Sequence, residues 1–480
     1  MLLVTNLLFA QHKFHNIYSN HGYDRGEGVA QLADSSFIVT GTSTSFDDNG
    51  AQIFLLKLDK TGELEWSKAY GGPEVERGKR VFVLSDGFMV FGYSNDNPEG
   101  DFNFMVIKTD FDGNEIWTKQ YGAEGWEIVT DVQQLWDLTF IVAGTTDASP
   151  DGLSDRVLMR LKLDGDTLWT KTFENLGEDR INDIHQNNDT AFVIAGSVYN
   201  NDSLQQKAFM TYVGIDGEVI WDKQFGPDGH YEVNGVSSHN GIYLGVGGRY
   251  LHPDSTHLKD EYTVRVIDTG AEVGSYSYPS NGKKFMEAIS PFVEDGSFYI
   301  GFTRDDEFAY EGGDDLFFFK YDFLLNSNFQ NPMEIKAIDP EYFGEMVMTS
   351  DSAVVIVGSM TGVGEGDLAV FVTKVGPNED LPTTTDNPSQ THLVGLEESG
   401  LLLSLSVYPN PSSNYVKVDW QENEYGTLKI RNTLGQLSYE TRLNPNESNT
   451  IDVQNWPSGI YFFSIEYKGN PHFIGKLIRK

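Results

Sequence analysis

The chain of 480 residues contains no cysteine. Disulfides, thiolate metal sites and cysteine nucleophiles are therefore excluded. Basic residues are scarce: 34 Lys and Arg stand against 71 Asp and Glu, a formal net charge of −37. Binding to phosphate backbones needs clustered Lys and Arg, so nucleic acid is not an expected partner. Adsorption to an anionic membrane is opposed by the same charge. No long stretch carries apolar residues at helical spacing. No segment beyond the N-terminus reaches the roughly 18 to 20 apolar residues that would span a bilayer. The ten histidines are scattered and form no H-E-x-x-H, and no G-x-S-x-G lies between a strand and a helix.

Aromatics and glycine are abundant, with Phe 31, Tyr 23, Trp 8 and Gly 49. Aromatic strands punctuated by Gly turns favour an all-β chain. The stretch LDKTGELEWSKAYGG (58–72) returns as TDFDGNEIWTKQYGA (109–123), KLDGDTLWTKTFEN (162–175) and GIDGEVIWDKQFGP (214–227). Its tryptophans fall at Trp66, Trp117, Trp169 and Trp221, steps of 51, 52 and 52 residues. A second signature is an apolar strand ending in Gly. It occurs seven times, at FIVTG (37–41), FMVFG (88–92), FIVAG (140–144), FVIAG (192–196), YLGVG (243–247), FYIG (298–301) and VVIVG (354–358). A fixed period of this size marks a repeat architecture.

One unit reads as four strands. Strand a is short, b and c are nearly continuously apolar and hence buried on both faces, and a DG or TG turn leads to strand d. Seven such sheets of about 50 residues describe a seven-bladed β-propeller. In strand d, Trp66, Lys68 and Tyr70 share one face, and the lysine protects the outer edge from strand addition. The first full unit is expected to begin with strand a at Val29. The seventh unit lacks a d strand of its own. Phe14 to Tyr18 lies in register with strand d and is expected to close the ring beside Leu368 to Val375.

The remaining boundaries follow from texture. Residues 1–11, MLLVTNLLFAQ, read as a signal peptide without its charged beginning. The propeller occupies 12–376. Residues 377–400 are rich in Pro, Thr, Asn and acid and read as a linker. Residues 401–480 carry seven short strand patterns, expected to form a small Ig-like β-sandwich.

This last segment closely resembles the type A C-terminal sorting domain of the type IX secretion system of Bacteroidota. The resemblance rests on Val407-Tyr408-Pro409-Asn410-Pro411, Val416-Lys417-Val418, Leu434-Gly435-Gln436, Pro457-Ser458-Gly459-Ile460-Tyr461 and the basic end Lys476-Leu477-Ile478-Arg479-Lys480. It implies Sec export to the periplasm and passage through the outer membrane with the type IX machinery and its sortase as partners. The propeller would then be released or held at the cell surface. The body resembles uncharacterised propeller repeats of such cargo, a likeness of architecture and not of activity.

Three sets of residues carry candidate chemistry. Asp24, Glu76, Glu127 and Asp179 each follow the strand d aromatic by six residues. Glu232 and Glu341 stand near the equivalent place. They are expected at the start of strand a, where an axial ring of carboxylates could bind a cation or basic ligand, or else accept backbone hydrogen bonds and tie blade to blade. The b–c loops place Asp47, Asp48, Asp305, Asp306, Asp314 and Asp315 among Gly and Asn. Such oxygens suit Ca²⁺, but none of the loops reproduces the EF-hand spacing, and no motif requires a cofactor. Turn preference alone accounts for the same residues. The leading expectation is a monomeric, non-enzymatic module binding an extracellular protein or glycan. The alternative is a glycan hydrolase using axial carboxylates, which needs two of them roughly 5 to 10 Å apart in a pocket with aromatic walls.

Overall fold

The computed structural model describes residues 13–19, 22–46, 50–98, 100–122, 125–148, 152–186, 188–250, 259–278, 283–291, 297–305, 314–321, 333–335, 341–361, 368–376, 389–392, 405–408, 414–420, 425–432, 437–445, 447–467 and 470–479. Among them every regular element is a strand. The chain divides into two compact units, 1–397 and 398–480.

The first unit is a seven-bladed β-propeller. Blades 1 to 6 occupy 24–70, 76–121, 127–173, 180–225, 230–278 and 283–335, each a sheet whose four strands a, b, c and d follow one another in order. Blade 7 takes strands a to c from Glu341–Met348, Val354–Met360 and Ala369–Val375. Its fourth strand is Phe14–Ser19, antiparallel to strand c with Phe14 opposite Lys374 and Tyr18 opposite Val370. The expected closure is therefore the observed one. A fifth strand, Ser389–His392, adds in parallel to the outer edge of Phe14–Ser19.

Strands b and c are buried along their whole length in blade 1, as in Phe37–Ser43 and Gln52–Leu58. Each blade's two faces pack against its neighbours, so continuous apolar runs are the stable choice. Strand a is longer than its apolar pattern suggests. In blade 1 it begins at Asp24 rather than Val29, because the Gly-rich DRGEG segment is strand with a bulge and loses the alternation that would reveal it.

The repeated turn is an inter-blade joint. Gly113 has φ +73°, and a Cβ there would lie 2.9 Å from the Trp66 ring of the preceding blade. The same packing sets Trp117 over Gly165, Trp169 over Gly217 and Trp221 over Gly270. Only glycine meets both the left-handed turn and the ring's close approach. Tyrosine completes the joint: Tyr70 Oη donates to Gly113 O at 2.7 Å, Tyr121 Oη to Gly165 O at 2.6 Å and Tyr18 Oη to Gly62 O at 2.5 Å. The strand d lysines reach the same turns, with Lys119 Nζ on Asp164 O and Lys171 Nζ on Gly217 O, both at 2.8 Å. They bind the adjacent blade as well as occupying an outer edge.

The second unit has seven described strands. Leu405–Tyr408, Tyr415–Trp420 and Glu447–Asp452 form one sheet. Leu437–Leu443, Gly426–Asn432, Gly459–Tyr467 and Asn470–Arg479 form another. Residues of both sheets, including Val416, Trp420, Leu428, Ile451, Tyr461 and Phe463, share one apolar core. Tyr461 Oη donates to Pro457 O at 3.0 Å, and Arg479 Nε to Val453 O at 2.7 Å. Pro409, Asn410, Pro411, Gly435, Lys480 and the Lys476 side chain lie outside the described residues, as do 1–11 and the rest of the 377–400 segment.

Tyr18 is fully buried in the closing strand and holds the turn of blade 1. Tyr18→Ala is expected to lower stability by about 3 to 5 kcal/mol, as for other buried aromatics. Tyr18→Phe should cost about 1 kcal/mol. Chemical denaturation of both variants reads the difference, and equal midpoints for wild type and Tyr18→Ala would exclude Phe14–Ser19 as the ring's closure.

Candidate binding site on the propeller axis

The inner edge of every strand a faces the axis, where its backbone groups have no fifth strand to pair with. All seven strands a carry a bulge at the same place. The bulged residues are Glu27, Lys79, Thr130, Asn182, Asn234, Glu287 and Gly344. A bulge opposes two residues to one and re-aims side chains. Here it turns polar groups along the axis. Glycine at the blade 7 bulge lets strands approach: a Cβ on Gly344 would lie 2.4 Å from Gly26 O of blade 1.

The side chain after the bulge satisfies the neighbouring edge. Glu345 Oε2 accepts Val29 N–H at 2.7 Å, joining blade 7 to blade 1. Asp131 Oδ2 accepts Ile184 N–H at 3.0 Å, and Asp183 Oδ2 accepts Val236 N–H at 2.6 Å. The bulged amides do the converse, with Asn182 Nδ2 donating to Val233 O and Asn234 Nδ2 to Met286 O. Arg80 spans four blades: its Nε lies 2.7 Å from Asp131 and 3.3 Å from Glu345, and Nη1 donates to Glu27 O at 3.1 Å. Glu27 also takes Lys79 at 2.8 Å and Arg25 at 2.6 Å.

The electrostatics follow from this crowding. Burial raises the Glu27 carboxyl, but Lys79 and Arg25 outweigh it and hold Glu27 below its ordinary value. At Glu345 burial prevails over Arg80, and the carboxyl is raised. Burial, reinforced by Asp131 in hydrogen-bond contact, pushes Asp183 well above the usual carboxylate range. Two adjacent buried carboxyls cannot both hold charge cheaply, so the contact favours the protonated form of Asp183. His185, on the same cavity wall, is lowered to about 4 by burial and is neutral at pH 7, with Nε2 2.9 Å from Ser238 Oγ.

Around this network lies a cavity of about 690 Å³. Arg25, Arg180 and Glu232 stand at the end formed by the d–a and b–c loops, and Gln133, His185 and Ser237 at the other. Ser237 is buried, and among the described residues its hydroxyl has no hydrogen-bond partner. A second hollow of about 420 Å³ lies between blades 2 and 3, lined by Phe104, Tyr121, Glu127 and Met159 among others.

The structure places the sequence candidates as follows. Asp24 is buried and accepts hydrogen bonds from the hydroxyls of Ser43 and Ser45. Glu76 accepts Ser94 Oγ at 3.2 Å, and Glu127 accepts Thr146 Oγ1 at 2.8 Å. Asp179 accepts Asn175 Nδ2 at 3.0 Å and Tyr199 N–H at 2.9 Å. Arg156 Nε stands 3.3 Å from Asp179, near enough to attract in charge although not aligned as a hydrogen bond. Burial raises the carboxyls of Glu76 and Asp179. These four residues tie the start of strand a to strand b and the preceding turn. Glu232 lines the axial cavity. Asp47, Asp48 and Asp306 lie outside the described residues, and so do the side chains of Asp305, Asp314, Asp315 and Glu341. Among the described residues no three His, Asp or Glu side chains are grouped to hold a metal. The axial group of Glu27, Arg80, Asp131, Asp183 and Glu345 is not among the sequence candidates. Its signal is a polar residue at repeat spacing inside a strand, one place before Val or Ile in VTDV and INDI.

With this geometry in place, the comparisons divide by unit. Residues 406–480 match the secretion system C-terminal sorting domain. The match indicates an exported chain that engages secretion machinery and is secreted or held at the cell surface. No curated protein matches the chain. The β-propeller domain of the Trilobed protease from Pyrococcus furiosus is similar at 9% identity and TM-score 0.43, over 78% of this chain and 98% of that one. Puromycin hydrolase is similar at 11% and 0.44, over 84% and 62%. A luciferin-regenerating enzyme is similar at 8% and 0.36, over 76% and 96%. Likenesses this distant carry no argument about activity.

The axial carboxyl pair predicts a pH effect. A folded-state pKa raised above the unfolded value contributes stability that is complete below the unfolded pKa and is lost as pH rises through the folded one. Asp183→Asn keeps an oxygen for Val236 N–H and removes the titration. Its stability relative to wild type should therefore improve as pH rises from acid to neutral. Denaturation curves across that range test this, and a constant difference between the two proteins would disprove the raised Asp183 carboxyl.

Proposed function

We propose that the propeller is a non-enzymatic binding module for an extracellular protein or glycan, delivered outside the cell by its sorting domain. The observation that carries this reading is the commitment of the axial carboxylates. Hydrolysis of a glycosidic bond needs two carboxyls held apart, with room for the bond between them. Asp131 and Asp183 are instead in contact, bonded to backbone N–H groups of the next blade, and Asp131 is ion-paired with Arg80. Among the described residues lining the cavity, Phe343 is the one Phe, Tyr or Trp. Binding then belongs to the face built by the d–a and b–c loops, where the repeats differ most from one another.

The full chain probed against glycan and surface-protein arrays should retain ligand without releasing product. Product release that disappears in both Asp131→Asn and Asp183→Asn would replace this reading with the hydrolase.

Delivery has its own check. Deleting residues 401–480 should leave the propeller in the periplasm, as read by fractionation and immunoblotting. Export of the truncated chain at the full-length level would show that the sorting domain is not its signal.

A further inference from the structure

Two arginines on the d–a face, in a chain of net charge −37, have no carboxylate partner among the described residues. Arg77 and Arg180 occupy the same place, two residues before the bulge, in strands a of blades 2 and 4. Both are exposed, and neither makes an ion pair among the described residues. Arg180 stands at the mouth of the axial cavity. In a protein with twice as many acids as bases, two exposed guanidiniums at equivalent positions with no ion pair among the described residues suit an anionic ligand.

From Arg77 a strip of aromatic rings leads outward. The Arg77 guanidinium lies against the Tyr93 hydroxyl. Tyr93 meets Phe102 edge to face at 5.4 Å and 83°, and Phe102 meets Trp126 at 5.3 Å and 86°. Trp126 is 48% exposed. Its backbone is fixed, since Trp126 N–H donates to Asp147 Oδ1 at 2.6 Å. A large ring held in place with half its surface in water is a ready stacking platform.

The strip combines two recognition chemistries. Aromatic faces take the C–H faces of sugar rings, and guanidinium takes carboxylate or sulfate through paired N–H donors. The acidic remainder of the surface repels a polyanion and so confines it to this strip. Single-stranded nucleic acid also stacks on aromatics, but it needs a continuous basic groove, and two isolated arginines do not make one. We infer that the strip from Arg77 to Trp126, together with Arg180, binds an anionic glycan whose sugars carry carboxylate or sulfate groups. The inference rests on the binding-module reading and assigns its ligand class.

The test is affinity electrophoresis of the full chain in gels containing polygalacturonate, dextran sulfate or neutral dextran, with single-stranded DNA as a further probe. Retardation by the acidic polymers is expected, weakening with salt. It should fall about thirtyfold, the loss expected for a binding hot spot, in Trp126→Ala and in the Arg77→Gln/Arg180→Gln double variant. Trp126→Tyr should restore it, and thermal midpoints should stay at the wild-type value. Equal retardation by neutral dextran, unchanged retardation of both variants, or preference for DNA would overturn the ligand class. Capture of a neutral glycan or a protein on the arrays would then leave the binding-module reading standing, whereas silence of every probe would remove both.

Discussion

The contact on which the propeller depends is an aromatic ring laid over its neighbour's glycine turn. A blade cannot bury both faces of its inner strands alone. Trp66 on Gly113, with Trp117, Trp169 and Trp221 on the turns that follow, fixes the spacing and rotation of blades 1 to 5, while Tyr70 and Tyr121 pin the same turns through their hydroxyls. The turn needs glycine for its φ and again for the ring above it. One short stretch thus encodes both the end of one sheet and the position of the next, which is why it recurs with so little variation.

The axis poses the opposite problem. Seven strand edges converge there with unpaired N–H and C=O groups, and the bulges answer with carboxylates, amides and one arginine. Buried ion pairs of this kind are weak sources of net stability, but removing one partner leaves charge stranded, at a cost of about 3 to 5 kcal/mol. Arg80 faces Asp131 and Glu345 at once, so the axial side chains are bound to their structural duties. The binding we propose therefore falls to the loop face, where Arg77 and Trp126 stand exposed.

Much of the fold was legible in the sequence because its signals are periodic. Spacing of Trp66, Trp117, Trp169 and Trp221 established the blade length, and the apolar runs ending in Gly counted the blades. The matched register of Tyr18 and Tyr70 identified the closing strand. Strand a was harder, since a bulge interrupts alternation and Gly26 and Gly28 imitate a loop. The axial group escaped for the same reason. Asp131 and Asp183 resemble ordinary turn-forming acids until the bulge is seen to turn them inward. Asp24, Glu76, Glu127 and Asp179 were conspicuous by their regularity, and the structure sets them in hydrogen bonds with Ser43, Ser94, Thr146 and Asn175. The Tyr93–Phe102–Trp126 strip has no repeat behind it and becomes visible only when one strand and two loops are assembled.

The pairing of Phe14 with Lys374 joins positions separated by nearly the whole propeller. Most other contacts within the ring lie inside one blade or between adjacent ones. The entropy of closing so long a loop grows only slowly with length, but contacts of such separation form late. The first strand must wait unpaired until residue 375 has been made and delivered. Completion of the ring therefore depends on the last blade: without Ala369–Val375 the first strand loses its antiparallel neighbour.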